Sequence, residues 1–261
     1  LRRAREDLRG PGESPSIPRQ LTAKLMKLAP DFFRVIAAPV VALALTFSGV
    51  GCATGQTAQK PATDARPAAN APGARSLFDG KSLAGWKQSD FAGGGEVRVE
   101  RDYKGQGPVI WIDAGQTLSG ITFTNPVPKT NFEITLEALK VQGSDFFCGL
   151  TFPVGAAHAT LVLGGWGGAT TGISSIDGQD ASENDTTKFL TYEKNKWYRI
   201  RMKVTPGKLE TWINDDKVID QDIKDKRIAM RFGEIENSIP LGIATYQTTS
   251  VIRKVEIKPL P

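Results

Sequence analysis

Period-two alternation runs through the second half of this chain and restricts it to β structure. From Thr130 to Val141 the sequence reads TNFEITLEALKV, which sets Phe132, Ile134, Leu136 and Ala138 on one side and Glu133, Thr135 and Glu137 on the other. Successive side chains of a strand point to opposite faces, so this pattern fits a strand with one buried face. Lys196 to Val204 alternates in the same way, and Lys208 to Ile213 is followed by Lys217 to Ile219 across Asn214-Asp215-Asp216, residues of a hairpin turn. Further runs lie at Pro108 to Ile112, Thr117 to Phe123, Phe146 to Phe152, Ala159 to Leu163, Leu241 to Tyr246 and Val251 to Ile257. Many short strands punctuated by Gly, Asn and Pro, with almost no helical periodicity, predict an all-β sandwich or jelly roll over residues 75–261, a length that suits one domain.

The residues before this domain have a different character. Met26-Lys27-Leu28 is the natural start of an export signal: Lys27 and Arg34 give a positive flank, Val35 to Phe47 an apolar run, and Ser48-Gly49-Val50-Gly51 the small residues ahead of Cys52. The run is shorter than the roughly 20 residues of a spanning helix, so it fits a signal h-region. The stretch resembles a bacterial lipobox, with Gly49 where Leu is usual, which implies lipidation of Cys52 and a lipid-anchored protein of the periplasm or outer membrane. Ordinary cleavage with a free Cys52 is the alternative. Residues 1–25 are expected to be a disordered leader or an over-extended reading frame, 26–51 the signal peptide, and 52–74 a linker. That Ala/Pro/Thr/Gln tract has no aromatic residue and no apolar periodicity, so it lacks the surface to fold and would act as a tether of about 25 Å.

Charge excludes one class of partner. The whole chain holds 33 Lys and Arg against 28 Asp and Glu, but eight of the former and four of the latter lie in residues 1–51. Removal of the signal leaves a nearly neutral protein without the basic footprint of a nucleic-acid binder. With Cys52 lipidated, Cys148 stands alone beside Phe146, Phe147 and Leu150, which predicts a buried free thiol and no disulfide. No phosphate-cradling Gly loop, dinucleotide fingerprint, Cys/His cluster or Gly-x-Ser-x-Gly elbow is present.

The segment Ser76-Leu77-Phe78-Asp79-Gly80-Lys81-Ser82-Leu83-Ala84-Gly85-Trp86 resembles the opening of the 3-keto-disaccharide hydrolase-like family. The resemblance continues through Asn131-Phe132-Glu133, Trp197-Tyr198-Arg199-Ile200, Trp212-Ile213-Asn214 and the closing strand Val251 to Ile257. It implies a concanavalin-like jelly roll of two antiparallel sheets and attack on 3-keto-glycosides, whose ketone acidifies the C2–H so that a base removes it while the C1 aglycone leaves. The chain reads as a divergent branch, with Ser144-Asp145-Phe146-Phe147-Cys148-Gly149 and His158 to Leu163 where typical members carry an Asn-Ser-Gly segment and a Glu-rich strand.

Sugar chemistry directs attention to Gly164 to Thr187, GGWGGATTGISSIDGQDASENDTT. Its glycines allow close backbone approach. Trp166 offers a flat apolar face, and Asp177, Asp180, Glu183, Asn184 and Asp185 offer acceptors for hydroxyls. Trp166, Asp180, Glu183 and Asn184 are the expected substrate-binding residues. The alternative is an ordinary solvated loop. The same oxygens admit a calcium ion, although they lack the alternating spacing of a known calcium loop; no other metal or cofactor is expected.

Elimination needs a base, an acid and an electrophile, and Glu137, Asp145, His158 and Asp177 are the candidate carriers. His158 is the sole His; its alternative is an ordinary surface or satisfied imidazole. Glu133-Ile-Thr-Leu-Glu137 resembles the Glu-x-Asp-x-Glu strand of jelly-roll glucanases, with Thr135 at the middle. On a straight strand these two Cα atoms stand about 13 Å apart, whereas a retaining pair needs carboxyls about 5 Å apart. Trp86, Trp111, Trp197 and Trp212 fall in strand patterns and are expected in the core. The expected partners are a glycan or glycoside and, through the anchor, a membrane. The competing functions are a non-catalytic carbohydrate-binding or cell-surface scaffold module and a glucanase-like hydrolase.

Overall fold

The computed structural model describes residues 73–261. The leader, the signal, Cys52 and nearly all of the linker lie outside the described residues. In chain order the strands are β1 (Arg75–Ser76), β2 (Trp86–Gln88), β3 (Val97–Glu100), β4 (Val109–Ile112) and β5 (Leu118–Phe123). Next come β6 (Phe132–Gln142), β7 (Cys148–Val154), β8 (Ala157–Gly165), β9 (Thr170–Ser174) and β10 (Lys188–Phe189). The last five are β11 (Trp197–Val204), β12 (Lys208–Ile213), β13 (Asp216–Asp222), β14 (Leu241–Tyr246) and β15 (Thr249–Pro259), with a short 3-10 helix at Glu234–Ser238.

Over the described residues these strands form two antiparallel sheets of a jelly-roll sandwich. The eight-stranded sheet runs β13-β12-β11-β6-β15-β4-β3, with β1 on β15, and the seven-stranded sheet runs β10-β9-β8-β7-β14-β5-β2. The alternation of β6 is realised in space: Phe132, Ile134, Leu136 and Ala138 are buried between the sheets, while Glu133, Thr135 and Glu137 face outward. Leu150 and Phe152 of β7, Leu161 and Leu163 of β8 and Ile243 of β14 meet them from the other sheet. Cys148 is a free buried thiol in this core, and burial pushes it up to about 12.

Of the tryptophans expected in the core, only Trp86 is there, its Nε1 donating to the Leu77 carbonyl at 2.6 Å. Trp111 and Trp197 are half-buried in a satellite cluster with Tyr103, Val109, Leu139 and Val251; these side chains alternate with the inward ones and so lie on the outer face of the eight-stranded sheet. Trp212 is also outward, with the Arg201 guanidinium 3.8 Å and the Lys217 ammonium 5.1 Å from its ring. Alternation tells which residues of a strand share a face. It does not say that the apolar member faces the core when cations cover it instead.

Candidate functional site

The outer face of the seven-stranded sheet carries a cleft of about 460 Å3. Its floor is made of outward side chains: Leu118 of β5, Thr160 and Val162 of β8, Ser174 of β9 and Tyr246 of β14. Asp145 and Phe146 form one wall, Trp166 and Asp180 another, and a strap containing Arg231, Phe232, Glu234 and Ile235 a third.

Each wall has a local cause. Trp166 sits at the β8–β9 turn with φ 49°, in the left-handed region, and is 45% exposed. Asp145 clamps that turn: one carboxylate oxygen accepts from its neighbour Phe146 N–H at 2.7 Å and the other from Gly167 N–H at 3.0 Å. Asp180 accepts from the Ser174 hydroxyl, from Ala181 N–H at 2.8 Å and from Arg231 Nη1 at 2.5 Å. The Arg231 guanidinium also lies 5.8 Å from the Trp166 ring.

The strap is tied at both ends. Ser175 and Ala229 exchange two backbone hydrogen bonds, Ile176 bridges Ile228, and the Met230 sulfur accepts from Thr160 Oγ1 at 3.8 Å. At the other end, the Asn237 carbonyl accepts from Thr122 Oγ1 at 2.8 Å and Glu234 Oε1 accepts from Ala92 N–H at 3.2 Å. Between the ties, Phe232 is 93% exposed.

Of the residues expected from sequence, Asp145, Trp166 and Asp180 therefore share the cleft. Glu137 does not: it lies on β6 in the other sheet, outward, with Arg253 Nε at 2.7 Å and Lys254 Nζ at 2.9 Å. Burial opposes its ionisation, but the hydrogen bonds from Lys254 and Arg253 outweigh that, and its carboxyl titrates below the ordinary range. Its partner in the glucanase-like pattern, Glu133, faces Arg201 at 3.6 Å, so this strand presents neutralised carboxylates rather than a free pair.

His158 stands at the far end of β8 from Trp166, opposite Pro153. Burial and then the charge of Lys129 lower its pKa. Asp177 is at a turn with φ 53°, bonded to Lys226 at 2.9 Å and to Arg227 N–H at 2.8 Å, which together hold its carboxyl below the usual range. Asn184 is buried and fully engaged: its amide donates to the carbonyls of Ile173, Gln179 and Asp180 while its oxygen accepts from Thr186 N–H and Oγ1. It builds the loop and has no donor left for a ligand. Glu183 is exposed and lies outside the cleft.

Residues 164–187 are not one loop, because Thr170–Ser174 pairs with β8 as β9. No group of three or more His, Cys, Asp or Glu gathers as a metal site among the described residues, so the acidic run does not converge on a calcium ion there. Arg231, Phe232, Glu234, Ile235, Thr160, Ser174 and Tyr246 were not foreseen. The one signal for the strap was its length, an 18-residue connection between Asp222 and Leu241 without alternation, longer than most connections in compact domains.

The 3-keto-alpha-glucoside-1,2-lyase-like domain family matches residues 73–258, and the chain belongs to it. This is a carbohydrate-related family. No curated protein sequence matches the chain. Among solved structures, a candidate glycosyl hydrolase from Parabacteroides distasonis ATCC 8503 is 17% identical, with 72% of this chain and 95% of that one covered and a TM-score of 0.45. The carbohydrate binding module CBM66 from Bacillus subtilis is 12% identical over 67% of this chain and 95% of its own, TM-score 0.41. Domain 4 of AbnA, a GH43 extracellular arabinanase from Geobacillus stearothermophilus solved with arabinotriose, is 11% identical over 67% and 82%, TM-score 0.43.

Proposed function

We propose that the cleft binds a sugar and that the domain cleaves 3-keto-glycosides by elimination followed by hydration, in the periplasm or at the outer membrane of a bacterial envelope, where lipidated Cys52 anchors it. The observation that carries this reading is the convergence of an exposed Trp face, three carboxylates and a guanidinium in one cleft, within a domain of a family named for that chemistry. An aromatic face takes the C–H side of a pyranose while charged groups bond its hydroxyls.

In the elimination, the C2–H proton passes to a base and its electron pair forms an enolate with the C3 ketone. The enolate then expels the C1 oxygen, which takes a proton, leaving an enone; water adds back across it. Asp145 and Asp180 are both occupied by protein donors. Glu234 has Oε2 unbonded among the described residues, so it is the base in this proposal. Arg231 is the cation beside the developing enolate, and Tyr246 supplies a phenolic proton toward the leaving oxygen.

A second reading is supported by the Arg231–Asp180 pair, in which the guanidinium of the cleft is neutralised by one of its carboxylates, and by the position of the sole imidazole away from the cleft. In that reading the cleft only binds. One assay separates them: a 3-keto-glucoside with a chromogenic aglycone, with binding measured in parallel. Aglycone release that falls by about 100-fold or more in Glu234→Gln, the scale of a lost general base, supports the lyase. Binding without release supports the module, and absence of binding refutes both.

A further inference from the structure

Arg231, Asp180 and Phe232 also wall a second, smaller cavity of about 220 Å3, whose other side carries Arg227, Gly178 and Ser175. The ion pair thus stands between two spaces. Ligand pockets are commonly about 300 to 1,000 Å3, so the smaller one has room for a single substituted ring beside whatever the larger cleft holds.

Its chemistry differs from that of the cleft, because it has two guanidiniums and no Trp. Arg231 is answered by Asp180 at 2.5 Å. Arg227 is not answered: among the described residues its side chain has neither an ion pair nor a hydrogen bond. Asp177, whose carboxyl feels the charge of Arg227, is bonded instead by Lys226 at 2.9 Å and by the backbone N–H of Arg227 at 2.8 Å.

What positions Arg227 is backbone. Asp177 N–H donates to its carbonyl at 2.8 Å, which fixes the chain on both sides of the residue. The guanidinium then lies against Gly178, where an added Cβ would come within 2.7 Å of Nη2. Gly178 also has φ 82°, so the glycine serves both the turn and the approach of the guanidinium. Arg227 is exposed, and a planar fork of donors without an anion, at the edge of a ring-sized cavity, matches a carboxylate.

We infer that the smaller cavity is a subsite for an acidic sugar residue, with the carboxylate of a uronic acid on Arg227 and the adjoining sugar in the Trp166 cleft. This rests on the reading of the larger cleft as a sugar site. Arg231 and Asp180 then face the linkage from between the two rings, and a charged second residue becomes the feature by which the domain selects its ligand.

The test is calorimetric titration of the full chain with three matched disaccharides whose second residue is glucose, glucuronate or glucose 6-sulfate. The glucuronate member is expected to bind about tenfold tighter than the glucose member, a modest value for a hydrogen bond to a charged group because the subsite opens to solvent. In Arg227→Met the ratio of the two affinities should fall to about one, and Arg227→Lys should restore part of it. Raising salt should shrink the ratio in the wild type. Equal affinities in the wild type, or a ratio that survives Arg227→Met, overturn the subsite while leaving the sugar cleft standing. Preference for the sulfate over the carboxylate overturns the uronate assignment. Binding of none of the three overturns the subsite together with the cleft on which it rests.

Discussion

Replacing Trp166 by alanine separates the two things its ring does. The residue is 45% exposed at the rim of the cleft. Of the roughly 250 Å2 that a Trp has to bury, about 140 Å2 is therefore covered. At about 25 cal/mol per Å2 the buried part is worth at most about 3 kcal/mol, nearer 2 against a realistic unfolded chain. That is about 4 to 8 °C in thermal midpoint for a domain of this size. In the proposed site the outer half of the ring stacks on the sugar, and losing a stacked anchor costs about 1 to 3 kcal/mol in affinity, about 5- to 150-fold. A second variant separates backbone from ring. Trp166 has φ 49°, a conformation costing an L-residue about 1 to 2 kcal/mol, which alanine keeps and glycine does not. Trp166→Gly should thus be about 1 kcal/mol more stable than Trp166→Ala, with the same loss of sugar affinity. Calorimetric titration with a 3-keto-glucoside and thermal unfolding on the same three proteins supply both numbers. Unchanged affinity in Trp166→Ala with a stability loss above about 4 kcal/mol would make the ring a packing element and remove it from the site.

Other expectations follow from the same geometry. Glu137→Gln should destabilise the domain by about 1 to 3 kcal/mol, since it leaves half-buried Arg253 with a weaker partner, yet leave sugar affinity unchanged; a drop in turnover without loss of stability would return Glu137 to the catalytic set. Because the folded pKa of Glu137 is depressed, its contribution to stability is present above the ordinary Glu pKa of about 4.3 and is lost as pH falls through the folded value. Unfolding scans from pH 7 to 3 should show that loss shrink in Glu137→Gln. Gly242→Ala should weaken sugar binding as well as stability, because its Cβ would come within 2.6 Å of the Ser238 carbonyl and push away the 3-10 helix that carries Glu234. Cys52→Ser should abolish labelling by a fatty-acid analogue; wild-type protein that fractionates wholly as soluble would refute the lipid anchor.

Most of the sandwich was legible because a half-buried strand must alternate. β6, β11, β12, β14 and β15 stand where the pattern placed them. The missed strands lack that pattern for identifiable reasons. β3 is half-buried at all four positions, so neither face is marked. The five residues of β9 are all buried, the inward ones by the core and Gly172 by the loop above it, and their Thr/Gly composition resembles a turn. At the site, Trp166 and Asp180 announced themselves by residue type amid glycines. The strap did not, because its importance lies in where the chain travels after β13, and that is fixed by backbone bonds between Ser175 and Ala229. Glu137 marks the opposite boundary. Its strand pattern identified an outward carboxylate, but facing outward on one sheet and facing the cleft on the other look alike in sequence.

The cleft takes its depth from short outward side chains at the middle of its floor and from walls that rest on strand backbone. Gly172 and Gly242 mark where the walls rest: a Cβ at Gly172 would stand 2.5 Å from the Ala181 carbonyl, and one at Gly242 2.6 Å from that of Ser238. The loop bearing Asp180 and the 3-10 helix bearing Glu234 therefore lie directly on strand backbone, without side chains between. Such contact has no rotamers to relax through, so the backbone that carries Asp180 and Glu234 takes its position from the sheet itself, the rigid part of the domain. Between the two walls the floor residues Thr160, Val162 and Ser174 are short, and the difference in height between wall and floor is the depth of the cleft. Large side chains in place of Thr160, Val162 and Ser174 would fill this space, and charged ones would pair with each other, as Glu133 and Arg201 do on the eight-stranded sheet.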